Sequence, residues 1–392
     1  MGKERWILPE GIDEVLPPQA RRLERLRRDL LDLYHGWGYE LVIAPFVEFL
    51  ESLLTGTGRD LDLQTFKLTD QLTGRTMGVR ADITPQAARM DAHQLRREAP
   101  TRLCYLGTVL HTRADGLAGS RSPLQIGAEL YGHGGPESDL EVLCLMMKTL
   151  DVAGVRDIYL DLGHVGIFRG LARQARLDDE QESALFDALQ RKAIPEIEQL
   201  LASYQVVPEL ARMLRSLADL NGDDALARAR DDLKNADAPV LAALANLEQV
   251  ASLVGNWLPE TPVHFDLAEL RGYHFHTGVV FAAFVPGQGQ EIARGGRYDD
   301  IGKVFGRARP ATGFSADLKT LIRLGSEPPA GEPTAILAPW SEDPGQRQKI
   351  EELRTQGRRV ILALPGQQAT PRDMGCQQLL ANDGGRWTIV PA

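Results

Sequence analysis

Three short runs carry side chains that could bind or act on a small molecule. In Leu124–Tyr131 the residues alternate. Leu124, Ile126, Ala128 and Leu130 fall on one strand face, and Gln125, Gly127, Glu129 and Tyr131 on the other. The polar face sets an amide, a gap without a side chain and a carboxylate in a row, where a small ligand with N–H donors could lie on the backbone. A half-exposed strand with a solvent face has the same pattern, so the run gains meaning only from its company. The second run, Val79-Arg80-Ala81-Asp82-Ile83-Thr84-Pro85, reads as a strand end with Arg80, Asp82 and Thr84 on one face. The third, Ala293-Arg294-Gly295-Gly296-Arg297-Tyr298-Asp299, reads as a glycine loop that could turn backbone N–H groups to an anion, or simply turn the chain. His274 and His276 share a strand face, but no third ligand follows at a suitable spacing, so no metal is expected. Walker, G-x-S-x-G and H-E-x-x-H patterns are absent from the sequence.

The elements that must position these runs are legible. Leu103–Leu110 and Leu124–Tyr131 are two apolar runs around a polar, glycine-containing connector, the pattern of antiparallel strands with a long loop. Ala20–Tyr34 reads as a helix from Leu23, Leu26, Leu30 and Leu33, with arginines on its other face and Glu24, Asp29 and Asp32 among them. Tyr39–Ile43 reads as a short strand and Val47–Leu54 as helix; Thr65–Asp70 and Arg75–Asp82 form a hairpin, followed by a helix over Gln86–Leu95. Pro136–Leu150 is helix, Asp157–Leu162 strand, and Val263–Leu270 and Gly278–Val285 strands again. From 171 to 254 glycine nearly vanishes and Leu and Ala dominate, which marks a helical insertion. A Pro/Gly/Glu break at Gly325–Pro333 separates residues 1–324 from a small α/β tail over 334–392. There Thr334–Pro339, Gln346–Gln356 and Arg359–Leu364 read as strand, helix, strand.

Composition narrows the function. The chain has 392 residues, 43% of them apolar, and a formal net charge of -10. Phosphate neutralisation drives nucleic-acid binding, so an acidic chain without a basic tract is not expected to bind nucleic acid. The tail carries seven acids and seven bases from Glu332 onward and offers no basic face. Cys104, Cys144 and Cys376 are few and far apart, which fits reduced thiols and argues against a zinc site. No apolar stretch reads as long enough to span a bilayer, and the start has no signal core, so a soluble cytoplasmic protein is expected.

Taken in order, these stretches resemble the class II aminoacyl-tRNA synthetases, and histidyl-tRNA synthetase most closely. Gly38–Pro45 resembles the first class motif, Leu103–Gly132 the second and Pro310–Leu318 the third. Leu270–Gly278 and Gly295–Asp299 resemble the histidine-specific motifs. The resemblance implies an α+β fold: an antiparallel sheet with flanking helices, a helical insertion and the α/β tail. It also implies a dimer through the first motif and an amino-acid pocket. In that pocket Asp82, Thr84 and Gln125 would hold an ammonium group, Glu129 an imidazole and Arg271 a carboxylate, with Tyr273 and His276 in the wall.

The departures concern ATP. Where the family has the arginine that grips the α-phosphate stands His111, and its glutamate two positions later is Arg113. The γ-phosphate arginine of the third motif is Thr320. Neither His111 nor Thr320 can replace a charged, bidentate grip. A core that keeps histidine features and loses ATP and tRNA features is similar to the regulatory-subunit family of ATP phosphoribosyltransferase. That likeness implies a non-catalytic protein without cofactors, a homodimer within a hetero-oligomer. Its partner would be the short-form catalytic subunit and its effector L-histidine. A degenerate histidine–tRNA ligase, or a class II paralogue that activates another acid, shares the same motifs, and the lost ATP grip weighs against both.

Overall fold

A computed structural model describes residues 6–55, 59–114, 119–268, 272–273, 275–326, 334–367 and 370–392. The larger of two compact units, Met1–Ser326, is built on an eight-stranded sheet. From one edge its strands run Glu40–Leu41, Thr101–Thr108, Leu124–Tyr131, Ala311–Asp317, Ala293–Arg297, Val279–Phe284, Tyr159–His164 and Val263–Phe265. The two edge strands pair parallel with their neighbours and every other pairing is antiparallel.

The expected α+β architecture is present, and the alternation in the sequence accounts for how its central strand is buried. Ile126, Ala128 and Leu130 are buried under the helices Gln19–Gly36 and Pro136–Val152. Helix Gln19–Gly36 buries Leu26, Leu30 and Tyr34, spaced by four, and each such side chain contributes roughly 1.5–3 kcal/mol. Tyr34 sets its ring edge on Phe314 at 6.2 Å and shares a 3.0 Å hydrogen bond with Thr149. On the opposite face of that helix Glu24 pairs with Arg27 at 2.6 Å and Arg28 at 2.8 Å, a solvated charge pattern.

Several elements depart from the sequence expectation. Val47–Phe49 is a strand that leads into the short helix Leu50–Leu53, because it pairs with Thr76–Val79 in a separate three-stranded sheet. The strand before Arg80 ends at Val79, so Asp82 and Thr84 sit in a turn and at a helix start. The glycine run at 293–297 is a strand inside the large sheet, its backbone engaged on both sides. The strand from Val263 stops at Phe265, and His276 lies in a turn region; His274 lies outside the described residues.

Between Val165 and Trp257 the unit is helical. Ala238–Trp257 is long and apolar enough by length and composition to cross a membrane, contrary to the expectation from the sequence. Val240, Ala243, Leu244, Leu247, Val250 and Val254 of this helix are buried in the protein's own core.

Among its described residues the second unit, Glu327–Ala392, has a four-stranded sheet and one helix. Ala335–Ala338 is central, flanked in parallel by Val360–Leu362 and by Cys376–Asp383. The hairpin Cys376–Asp383 with Arg386–Pro391 adds two strands beyond the expected strand, helix, strand. Asp343 caps helix Pro344–Thr355 through the Gly345 N–H and accepts the Trp387 indole N–H at 2.7 Å.

Candidate functional site

The site is assembled on the polar face of Leu124–Tyr131. Both faces of this strand are covered: Gln125 is 8% exposed and Glu129 1%. The half-exposed alternative is thereby corrected. Antiparallel register sets Gly107 beside Gln125, Tyr105 beside Gly127 and Leu103 beside Glu129 on the neighbouring strand, and Gly313 beside Glu129 on the other.

This pairing overturns the open gap expected over Gly127. A Cβ at Gly127 would lie 2.4 Å from the Tyr105 hydroxyl and 2.6 Å from the Phe314 carbonyl oxygen, so the tyrosine already fills that space. Gly313 does the equivalent for Glu129: a Cβ there would fall 1.5 Å from its carboxylate. Two glycines therefore let a phenol and a carboxyl lie flat against the sheet.

Glu129 takes the Tyr105 hydroxyl on Oε1 at 2.9 Å and the Tyr298 hydroxyl on Oε2. Burial pushes its carboxyl up to about 8, against the pull of these two donors. From Tyr105 the network continues to Thr84 Oγ1 at 2.9 Å. The Thr84 and Gln125 side of the site is closed by Asp82. Its Oδ1 accepts the Thr84 N–H at 2.9 Å and the Gln125 Nε2–H at 2.8 Å, while Gln125 Oε1 accepts the Ile83 N–H at 2.9 Å. The structure thus brings Asp82, Thr84, Gln125 and Glu129 together and adds Tyr105 and Tyr298. Tyr105 went unread because only the register shows it facing a glycine; the sequence signal was a large ring two positions from Gly107 on the same strand face.

The other expected residues part company. Arg271 lies outside the described residues. Tyr273 packs into the helical insertion: its ring stacks on Phe186 at 4.8 Å, the Arg169 guanidinium lies 4.7 Å over it, and its hydroxyl donates to Glu182. Its place in the pocket wall is corrected accordingly, because the insertion offers it both a stacking partner and an acceptor. If this face takes L-histidine, as the resemblance implies, Tyr273→Phe should leave its affinity within about twofold by calorimetry, whereas loss of a ligand contact would cost roughly 0.5–1.5 kcal/mol.

His276 stays near the network. It is half-buried, with Nδ1 3.3 Å from the Arg297 carbonyl oxygen and its ring centroid 6.4 Å from that of Tyr298, and desolvation pushes it down to about 4. It is therefore neutral at physiological pH. Phe275 stacks on Tyr298 at 4.9 Å and fixes that ring from behind. Arg297 serves the fold: it is 6% exposed and donates to Asp139, Ser138 and the carbonyls of His133 and Gly135 at the start of helix Pro136–Val152.

Of the three positions that the resemblance assigns to ATP, two are bonded within the protein and one is exposed. His111 Nε2 lies 2.9 Å from the Ala81 carbonyl oxygen, Arg113 is exposed, and Thr320 donates to Asp317 at 2.8 Å within a helix cap. Among the described residues no group of three His, Cys, Asp or Glu could hold a metal.

Comparison with known proteins gives a consistent pattern. A histidyl-tRNA synthetase family profile matches residues 11–321, and that of the ATP phosphoribosyltransferase subunit HisZ C-terminal domain matches residues 333–390. The chain is 60% identical over 388 residues to the ATP phosphoribosyltransferase regulatory subunit of Thioalkalivibrio sulfidiphilus, with 98% of both chains covered. It is 57% identical over 390 residues to the one from Pseudomonas aeruginosa, covering 99% of this chain and 98% of the other. Among solved structures it superposes on an ATP phosphoribosyltransferase regulatory subunit/histidyl-tRNA synthetase from Bacillus halodurans, with TM-score 0.84 and 25% identity over 96% of this chain and 98% of that one. A Nostoc histidyl-tRNA synthetase shares the fold at TM-score 0.78 and 19% identity, with 99% and 97% covered.

Proposed function

The chain belongs to the ATP phosphoribosyltransferase regulatory subunit family, and we propose on that footing that it is the non-catalytic half of a two-part enzyme of histidine biosynthesis. It acts in the cytoplasm as a homodimer within a larger assembly. It raises the activity of a short-form catalytic subunit and makes that activity sensitive to L-histidine, which binds on the face of Gln125 and Glu129. The observation that carries this reading is one contrast within the site. The groups suited to an amino acid form a connected, buried network, while His111 and Thr320 at the phosphate-gripping positions are spent on the chain's own atoms.

In this reading Asp82, Thr84 and Gln125 take the ligand's ammonium, Glu129 its imidazole N–H, and Arg271 is a cation for the carboxylate by resemblance. Tyr105 and Tyr298 hold the Glu129 carboxyl in place, and His276 lies behind Tyr298. The dimer is supported by the edge strand Glu40–Leu41, paired on one side only, with Leu41, Ile43 and Phe46 exposed around it.

Mixing the protein with a short-form ATP phosphoribosyltransferase from the same organism tests the assignment. The mixture should elute as a complex larger than either component and turn over about tenfold or more faster than the catalytic subunit alone. Separate elution with an unchanged rate would remove the assignment.

A further inference from the structure

Arg80 is a buried cation with no ion-pair partner among the described residues. It is 7% exposed, like Arg297 at 6%. Arg297 lies against Asp139 at 3.0 Å, and Arg309, with a side chain 8% exposed, lies against Asp91 at 3.1 Å. A charge taken out of water is normally paired in this way. The groups that Arg80 meets by hydrogen bond or ring contact among the described residues are neutral. Nε donates to the Thr108 carbonyl at 2.9 Å, Nη1 donates to the Ala44 carbonyl at 2.8 Å, and Phe46 lies 5.6 Å from the guanidinium carbon. Nη2 donates to no group among the described residues.

The position of that third nitrogen is well defined. A Cβ on Gly107 would come within 2.2 Å of Nη2, so the guanidinium lies over Gly107 on the face that Gln125 shares. Asp82 is bonded to the same Gln125 that the register sets beside Gly107. Along this face the order is Arg80, Gln125 and Asp82 at one end, the Tyr105 ring over Gly127 in the middle, and Glu129 at the other end. A cation and a carboxylate at one end, with a hydrogen-bonding carboxyl at the other, complement a zwitterionic amino acid with a polar side chain.

We propose that Arg80 binds the carboxylate of the amino-acid ligand through Nη2, while Asp82 takes its ammonium group. This rests on reading the Gln125–Glu129 face as a histidine site, and it supplies a carboxylate contact from residues that the described structure places on that face. The two carbonyl bonds hold the guanidinium in place before the ligand arrives. The anion then completes the pairing that the fold leaves open.

Calorimetry with L-histidine and with histamine, the same molecule without its carboxylate, tests this on the full chain. The wild type should bind histidine about 30-fold more tightly than histamine, within the span of a hydrogen bond to a charged group. In Arg80→Met that ratio should fall at least about fivefold, through loss of histidine affinity alone, with histamine affinity kept within about twofold; any residual preference is the share of Arg271. Gly107→Ala, whose methyl would push Nη2 off the sheet, should lower the ratio in the same direction and serves if Arg80→Met does not fold. Equal loss for both ligands, or an unchanged ratio in either variant, would overturn the role given to Arg80 while leaving the site intact. Binding of neither ligand by the wild type would instead remove the site, and the proposal with it.

Discussion

Supplied with ATP, magnesium and histidine, the protein will exchange pyrophosphate no faster than a control without protein. Adenylate formation needs positive groups fixed on the α- and γ-phosphates as charge develops between them. The residues at the matching positions are His111 and Thr320. His111 Nε2 lies 2.9 Å from the Ala81 carbonyl oxygen, and Thr320 Oγ1 donates to Asp317 at 2.8 Å. Redirecting either toward a nucleotide would break a bond the fold already uses, and threonine brings no charge. Losing one such electrostatic contact typically costs about 10²–10³ in rate, so losing both should cost on the order of 10⁴ or more. Exchange well above background that disappears in Arg271→Ala would show that the chain still activates an amino acid, and the regulatory assignment would fall.

Glu129→Gln should weaken histidine binding about 10- to 100-fold and also change how the free protein responds to pH. With its carboxyl raised to about 8, Glu129 is mostly a neutral acid at pH 7 when the site is empty. An imidazole N–H favours the carboxylate, so binding must release this proton. Between pH 7 and 8, where free imidazole is already neutral, wild-type affinity should rise with pH and then level off; the Gln variant should be flat. The loss expected at pH 8 is roughly 1–3 kcal/mol, that of a hydrogen bond to a charged group.

Stability runs the other way. Below the ordinary value of 4.5 the group is neutral whether the chain is folded or unfolded, and it has no effect. As pH rises from 4.5 toward 8 the unfolded chain gives up the proton first, so folding loses free energy through that window. Glu129→Gln removes this loss. Its thermal midpoint should exceed the wild-type value at pH 9 and match it within a degree or so at pH 5. A midpoint difference that does not grow with pH would show that Glu129 is ionised in the empty site.

Much of the scaffold could be read from local pattern. The strand Leu124–Tyr131 has the bounds its alternation implies, and the helix through Leu26 and Leu30 extends only a little beyond them. What was not legible depends on neighbours distant in sequence. Gly127 reads as a gap until register sets the Tyr105 phenol over it. Tyr273 sits among histidine-type residues in the sequence, yet Phe186, Glu182 and Arg169 of the insertion draw it the other way. The Gly295-Gly296 pair has turn chemistry, but two flanking strands hold it extended. The hairpin at 376–391 did leave a signal, Asp383-Gly384-Gly385 between alternating runs, which is the composition of a tight hairpin turn. Arg80 carries the same lesson toward function: its sequence neighbours present an Arg–Asp pair, and only the fold shows that the arginine has no carboxylate partner among the described residues.

Linkage joins the site to regulation. If histidine binding to this chain inhibits the partner, histidine must favour the inactive state of the complex, and ligands of the partner's active state must weaken histidine binding by the same factor. The most direct measurement is the histidine inhibition curve of the reconstituted complex, with wild-type protein and with Glu129→Gln. Both forms should raise the turnover of the catalytic subunit equally, while half-inhibition shifts to about 10- to 100-fold higher histidine in the variant. Superimposable inhibition curves for the two would contradict this and place the histidine site away from Glu129.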